Sequence, residues 1–341
     1  MRGLPRQWAR TLTRPHIAAL LVWLAFCAPA AANPPGPPWL SRLDEDHPLV
    51  GRIWAPAEAR FLTPDEVTRR LAEADLTLLG EHHDNPDHHR LQAWALASVI
   101  AAGRQPVVAF EMILPSQEAA LTAHRLAHPD DVEALPTVLD WSASHWPEWS
   151  WYRPLFAEAM AAGLVIRSAN LPNDLVRSLA RRQPQPAEVT QRYRLDTPVD
   201  AADAEAMAEE IRQSHCGQMP EKVIPGMVDV QRARDAAMAL AMTEAAPAGA
   251  VLIAGGGHTR TDRGVPALLR RLAPGRRVFS LAFLEVDEDI TDPAAYGEPL
   301  GSRRPPFDAI WFTPRANDDD LCAGLADFLK RKQEKEKDKS N

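Results

Sequence analysis

Cysteine and tyrosine are both scarce, with three of each in 341 residues. Cys27, Cys216 and Cys322 stand far apart, which excludes a Cys-rich zinc site, and no Cys-x-x-Cys-His run exists for covalent haem attachment. Long apolar runs are missing as well. The stretch from Ile17 to Cys27 is too short to cross a bilayer, and no adjacent arginine pair precedes it to recommend the twin-arginine route. Positive charge is outnumbered, 38 Lys and Arg against 46 Asp and Glu, for a formal charge of −8. An acidic chain is a poor partner for nucleic acid or for an anionic lipid surface. A dinucleotide fingerprint is lacking too: Gly255-Gly256-Gly257 has the wrong spacing, and the acidic residue that should follow is not in place.

What is present begins with an export signature. Arg2, Arg6, Arg10 and Arg14 precede the apolar run, and Ala30-Ala31-Ala32 forms a cleavage site of the A-x-A kind, so residues 1–32 read as a signal peptide. Its removal takes away four arginines and no acid, moving the formal charge from −8 to −12. The expected address is the periplasm or beyond. Leu24-Ala25-Phe26-Cys27 has the outline of a lipoprotein box, but Phe26 is too bulky for the position before the cysteine, so cleavage after Ala32 ranks ahead of anchoring through Cys27. In such a compartment Cys216 and Cys322 are able to pair, although nothing in the sequence brings them together.

The 45% hydrophobic content supplies a core for one large α/β domain with a helical elaboration, or for two modest domains. Residues 33–44 form a proline-rich leader, 45–325 the folded domain, and 330–341 a charged tail expected to be disordered. Strand patterns at Ile53-Trp54, 75–80, 106–113, 164–167, 250–254, 277–286 and 309–313 alternate with helical ones. That alternation argues for a mostly parallel sheet flanked by helices. Thr63-Pro64-Asp65-Glu66 carries a capping box, and Asn85-Pro86 opens a helix running to about Ala102. A further helix is expected over 154–162. Residues 171–246 show no strand pattern and read as a smaller helical subdomain.

Residues 78–90 concentrate the chemistry, with four of the eleven histidines and three carboxylates between a strand and a helix. Open α/β sheets bind ligands at such turns. Gly80-x-x-His83 recurs as Gly255-x-x-His258, each at a strand end where glycine lets the chain turn and aims an imidazole into the crevice. With Glu81 or Glu111 added, His83 and His258 form a two-histidine, one-carboxylate set suited to a divalent metal. For either motif alone, chance and loop bracing explain the histidine; the pair, at comparable places, favours function. His88 and His89, in the first turn of a helix, are expected to be neutral because a cation opposes the helix dipole there, with His88 as readily a solvated surface residue. The tryptophans from Trp141 to Trp151 are core or lid packing by default, with an aromatic wall for a flat ligand as the rival, and Tyr152 offers a phenolate able to ligate ferric haem. Met227, Met238 and Met242 are more often core than cofactor pocket, but Gln231, Arg234 and Asp235 share their helix face.

Taken in order, Leu-Gly-Glu-His-His-Asp-Asn-Pro-Asp-His-His, then Phe-Glu-Met, then Gln231-x-x-Arg234-Asp235-x-x-Met238-Ala239, then Ala-Gly-Gly-Gly-His-Thr-Arg-Thr-Asp-Arg-Gly-Val-Pro resemble the ChaN family of haem-binding uptake proteins in the Tiki superfamily. The likeness spans roughly residues 45–325, including His47-Pro-Leu-Val-Gly and Phe307-Asp-x-Ile-Trp-Phe-Thr-Pro. It implies an exported protein linked to iron acquisition that binds haem non-covalently. A homodimer and an outer-membrane haem or iron receptor are candidate partners. The cofactor-binding candidates are Tyr152, His83, His258, Met227, Gln231, Arg234, Met238 and Arg260. Hydrolases elsewhere in the superfamily imply an alternative, a metal-dependent hydrolase with Glu81, His83, Glu111 and His258 as catalytic residues and His83, Glu111 and His258 as metal ligands. A binding module whose motif residues only brace loops is the third reading.

Overall fold

A computed structural model describes residues 33–244, 248–318 and Cys322. The proposed signal peptide and the charged tail lie outside the described residues. Strands β1 (Ile53–Ala55) and β2 (Arg60–Leu62) form an N-terminal hairpin, followed by α1 (Pro64–Glu73), β3 (Leu76–Glu81), α2 (Pro86–Ala101) and β4 (Val107–Phe110). Three helices follow, α3 (Glu118–Ala127), the single turn α4 (Leu135–Val138) and α5 (Trp149–Ala161), leading to β5 (Ile166–Ser168). The chain continues through α6 (Asn173–Ala180), α7 (Ala187–Arg192), α8 (Ala201–Ser214) and α9 (Ile224–Thr243). It closes with β6 (Ala250–Gly255), α10 (Val265–Leu272), β7 (Val278–Glu285) and β8 (Ala309–Thr313).

The eight strands make one sheet in the order β2-β1-β8-β7-β3-β6-β4-β5. It is parallel from β8 to β5, and antiparallel where β1 meets β2 and β8. The expected α/β class and mostly parallel sheet are therefore present. Every residue of β3 and of β6 is buried, as central strands covered on both faces must be. Because side chains alternate across a strand, Leu79, Val108, Ile253 and Leu281 face the core under α2 and α5. Leu76, Leu78, Leu252 and Ala254 face the second core, under α9 and α10.

Local signals explain where elements start. Thr63 and Glu66 form the capping box of α1. The Asn85 side chain accepts from the backbone N–H groups of Asp87 and His88 at the head of α2, satisfying donors that a helix start leaves open. Two expectations shift. Helix α5 begins at Trp149 rather than at 154, with Pro154 inside it; the proline falls near the helix start and removes only a single backbone bond. The strand expected over 164–167 sits two residues late, as β5 at Ile166–Ser168.

The connections set the site. From β3 the chain leaves through α2 for β4, passing over the place later filled by β6; from β6 it leaves through α10 in the opposite direction, past β3 to β7. Crossovers departing in opposite directions put α2 and α10 on opposite faces and open a crevice at the carboxyl ends of β3 and β6. Cys216, after α8, is bonded to Cys322 with 5.5 Å between the Cα atoms, closing a separation of 106 residues. Among the described residues no helix is long and apolar enough to cross a membrane.

Candidate functional site

Strands β3 and β6 pair in register, Gly80 with Ala254 and Glu81 with Gly255, so the two Gly-x-x-His turns lie side by side. Both glycines are closely packed, Gly80 the more severely. A Cβ on Gly80 would collide with Thr259 Oγ1 and come within 3.2 Å of Gly256 Cα. A Cβ on Gly255 would lie 3.1 Å from Cε1 and Nε2 of His83, so that imidazole rests directly against the neighbouring strand. His83 and His258, 175 positions apart in sequence, both line one crevice of about 540 Å³, within the ~300–1,000 Å³ usual for small-molecule sites.

The two imidazoles are held differently. His83 Nδ1 contacts Glu81 Oε1 at 2.8 Å, which orients the ring and leaves Nε2 without a hydrogen-bond partner among the described residues. Its side chain keeps 37% exposure, and the edge of Trp146 closes on it at 5.0 Å. Burial acts to lower the His83 pKa, but Glu81 and Glu111 outweigh it and the net direction is upward. His258 is buried, with Nδ1 2.6 Å from Asp235 Oδ1 and Nε2 3.6 Å from Glu111 Oε1. Burial again opposes the charge, yet Glu111 and Asp235 together push its pKa up to about 10. Glu111 is held at about 2 against its own burial by His258, His83 and the Gly255 N–H, which donates to Oε2 at 2.9 Å.

Glu81 is the hub of a second network. Its Oε1 also accepts from the Tyr152 hydroxyl at 2.9 Å. Its Oε2 lies 2.9 Å from His89 Nδ1, a charge contact without hydrogen-bond geometry. Burial would raise the carboxyl, but His89 and His83 hold it below the ordinary carboxylate range. The expectation for α2 splits accordingly. His88 is buried rather than solvated, and burial with nearby His82 lowers it to about 3, so it is neutral; it accepts from the His82 N–H and meets Thr313 Oγ1 at 2.9 Å. His89 differs: burial acts to lower its pKa, but Glu81 outweighs it and the net direction is upward.

Of the cofactor-binding candidates, His83, His258, Gln231, Arg234 and Arg260 line the crevice. Gln231 Nε2 lies 3.2 Å from His258 Nδ1. Arg260 is buried with its guanidinium engaged by Asp262 and the Leu300 carbonyl, whereas Arg234 has a buried Nε with no partner. Three candidates stand elsewhere. Tyr152 is fully buried behind Glu81, its hydroxyl donates to that carboxylate, and burial beside the charge raises its pKa, which disfavours the phenolate a ligand needs. Met238 belongs to the core beneath the sheet, and Met227 packs between α8 and α9. The divalent-metal expectation gains no support: among the described residues no group of three or more His, Cys, Asp or Glu side chains is arranged to hold a metal ion.

Several lining residues carried no sequence signal of their own. Glu285, at the end of β7, accepts from Asn85 Nδ2 and the Ala316 N–H. Despite its burial, His82 and those donors hold it at about 2. Glu210 reaches in from α8, and Phe283, Leu284, Leu300 and Phe307 add apolar wall. A buried acid at a strand's carboxyl end is the one trace by which Glu285 could have been found.

Residues 67–269 match the family described as haem-binding uptake, Tiki superfamily, ChaN. The chain belongs to the ChaN family. Among solved structures, the fold is similar to that of ChaN of Campylobacter jejuni, whose structure is titled for cofacial haem binding, at 18% identity over 76% of this chain and 95% of that one, with a TM-score of 0.59. An erythromycin esterase, a mutant of EreC in its open conformation, is 12% identical over 79% of this chain and 99% of that one, with a TM-score of 0.43. The type III effector HopBA1 is 13% identical over 73% and 92%, with a TM-score of 0.38. Those last two are too distant to carry an argument. No curated protein matches the sequence significantly.

Proposed function

We propose that this ChaN-family chain is an exported haem carrier serving iron acquisition, and that it holds haem non-covalently in the β3/β6 crevice with His83 as the iron ligand. The observation that carries the reading is the state of His83: Nδ1 is fixed by Glu81, Nε2 is without a partner, and the ring is part-exposed at the crevice. A carboxylate on the far nitrogen is the usual way a metal-binding imidazole is oriented and made more basic. The surroundings fit the group. Phe283, Leu284, Leu300 and Phe307 suit a porphyrin edge, and Arg234, with its buried unpartnered Nε, suits a propionate. His258, engaged through Nδ1 and facing Glu111 through Nε2, braces the crevice floor rather than competing for iron.

Non-covalent binding is supported by the cysteines, since Cys216 and Cys322 are joined to each other. That disulfide also supports an oxidising compartment, in line with the export signature at the N-terminus. Haem is the cargo, so the chain's task is to bind it and release it, to a second copy of the chain or to an outer-membrane receptor. The test is a haemin titration of the mature protein followed by its Soret band. A saturable shift, with all the haem lost on denaturation, is expected; the absence of a saturable shift would remove the reading.

A further inference from the structure

Behind the crevice lies a second cavity, of about 340 Å³, between the segment joining α7 to α8 and helices α8, α9 and α10. Two ion pairs form the partition. Asp235 Oδ1 meets His258 Nδ1 at 2.6 Å, and Arg263 Nη2 meets Glu210 Oε2 at 2.7 Å. Asp235 and Arg263 line the second cavity, while their partners His258 and Glu210 line the first.

The lining of this cavity has a definite character. Val199, Met207, Leu268 and Leu272 give it an apolar floor. Its charges do not balance. Of the acids, Asp200 caps α8 by accepting from the Ala202 N–H, Asp235 is engaged by His258, and Asp262 is engaged by Arg260 and Arg263. Asp200 and Asp203 are thus the lining acids without a cationic partner among the described residues, against three arginines. Of the cations, Arg194, Arg270 and Arg271 border the cavity without a carboxylate partner among the described residues, Arg270 donating only to the Thr261 carbonyl. An apolar floor under a surplus of guanidinium groups recognises an anion with an apolar body, since guanidinium favours carboxylate and sulfonate oxygens and the floor removes hydrocarbon from water.

We propose that this second cavity is a binding site for a small amphipathic anion, an organic carboxylate or sulfonate, separated from the crevice by the Asp235–His258 and Glu210–Arg263 pairs. The proposal stands whether or not the crevice takes haem. Anilinonaphthalene sulfonate, an aromatic body with one sulfonate, is the probe: titrated into the full chain without haemin, it is expected to give a saturable fluorescence rise at one probe per chain. Arg271 is exposed, so Arg271→Glu preserves the fold, and it is expected to weaken the probe at least tenfold. Leu268→Trp fills the floor without changing charge and is expected to remove the saturable phase. A rise that never saturates, or a saturable one that either substitution leaves unmoved, overturns the proposal.

Discussion

His83 and His258 sit in the same four-residue pattern at the ends of adjacent strands, yet the fold gives them opposite lives. His258 is buried between Asp235 and Glu111, whereas His83 is tied by one nitrogen to Glu81 and lines the crevice with the other unbonded among the described residues. The difference arises from what packs behind each turn. Helix α9 brings Asp235 and Gln231 against His258, while the His83 ring lies against Gly255 of β6 and the Trp146 ring. A shared motif therefore places the imidazole, and the elements packed behind it decide how many of its nitrogens are engaged.

That contrast can be broken most forcefully at the buried member. Removing one partner of a buried charged pair costs about 3–5 kcal/mol, so His258→Ala is expected to lower the urea midpoint severely; a loss near that of an exposed histidine would contradict the bracing role. The same pair sets a pH dependence. The folded pKa of His258, about 10, lies above the reference 6.5, so its contribution is complete below pH 6.5 and is lost as pH rises toward 10. Across that window stability should fall by about 1 kcal/mol per pH unit, and His258→Gln should flatten the slope. Glu111 acts with the opposite sign. Its pKa of about 2 lies below 4.5, so its contribution is present above pH 4.5 and fades as pH falls toward 2.

Smaller changes sharpen the other half of the comparison. Tyr152→Phe removes a hydrogen bond to the buried Glu81 carboxylate, a loss of about 2 kcal/mol, and should leave the ferric haem spectrum unchanged because the phenol supports Glu81 instead of reaching iron; an altered spectrum would return Tyr152 to the ligand set. Gly255→Ala presses a methyl group against the His83 ring at 3.1 Å. It is expected to cost about 1 kcal/mol in thermal unfolding, but to shift the haem spectrum clearly.

Much of this arrangement is written in local sequence. The caps at Thr63 and Asn85, the buried strands around Leu78 and Ile253, and the two Gly-x-x-His turns each follow from short-range stereochemistry, and all are found where that chemistry puts them. The strand Arg60–Leu62 left too short a pattern to register. Tyr152 was selected for what a phenol can do, and its burial behind Glu81 depends on how α5 packs on α2, which no local pattern encodes. Glu285, Glu210 and the Cys216–Cys322 pairing are likewise products of long-range packing.

Ferric haem spectra of the wild-type chain and His83→Ala, recorded at matched haemin concentrations, test the proposed iron-ligating role of His83 most directly. The wild type should bind saturably, and His83→Ala should lose its Soret position and weaken binding at least tenfold while folding normally. Identical spectra and identical affinities in the two proteins would place the iron elsewhere and contradict the account.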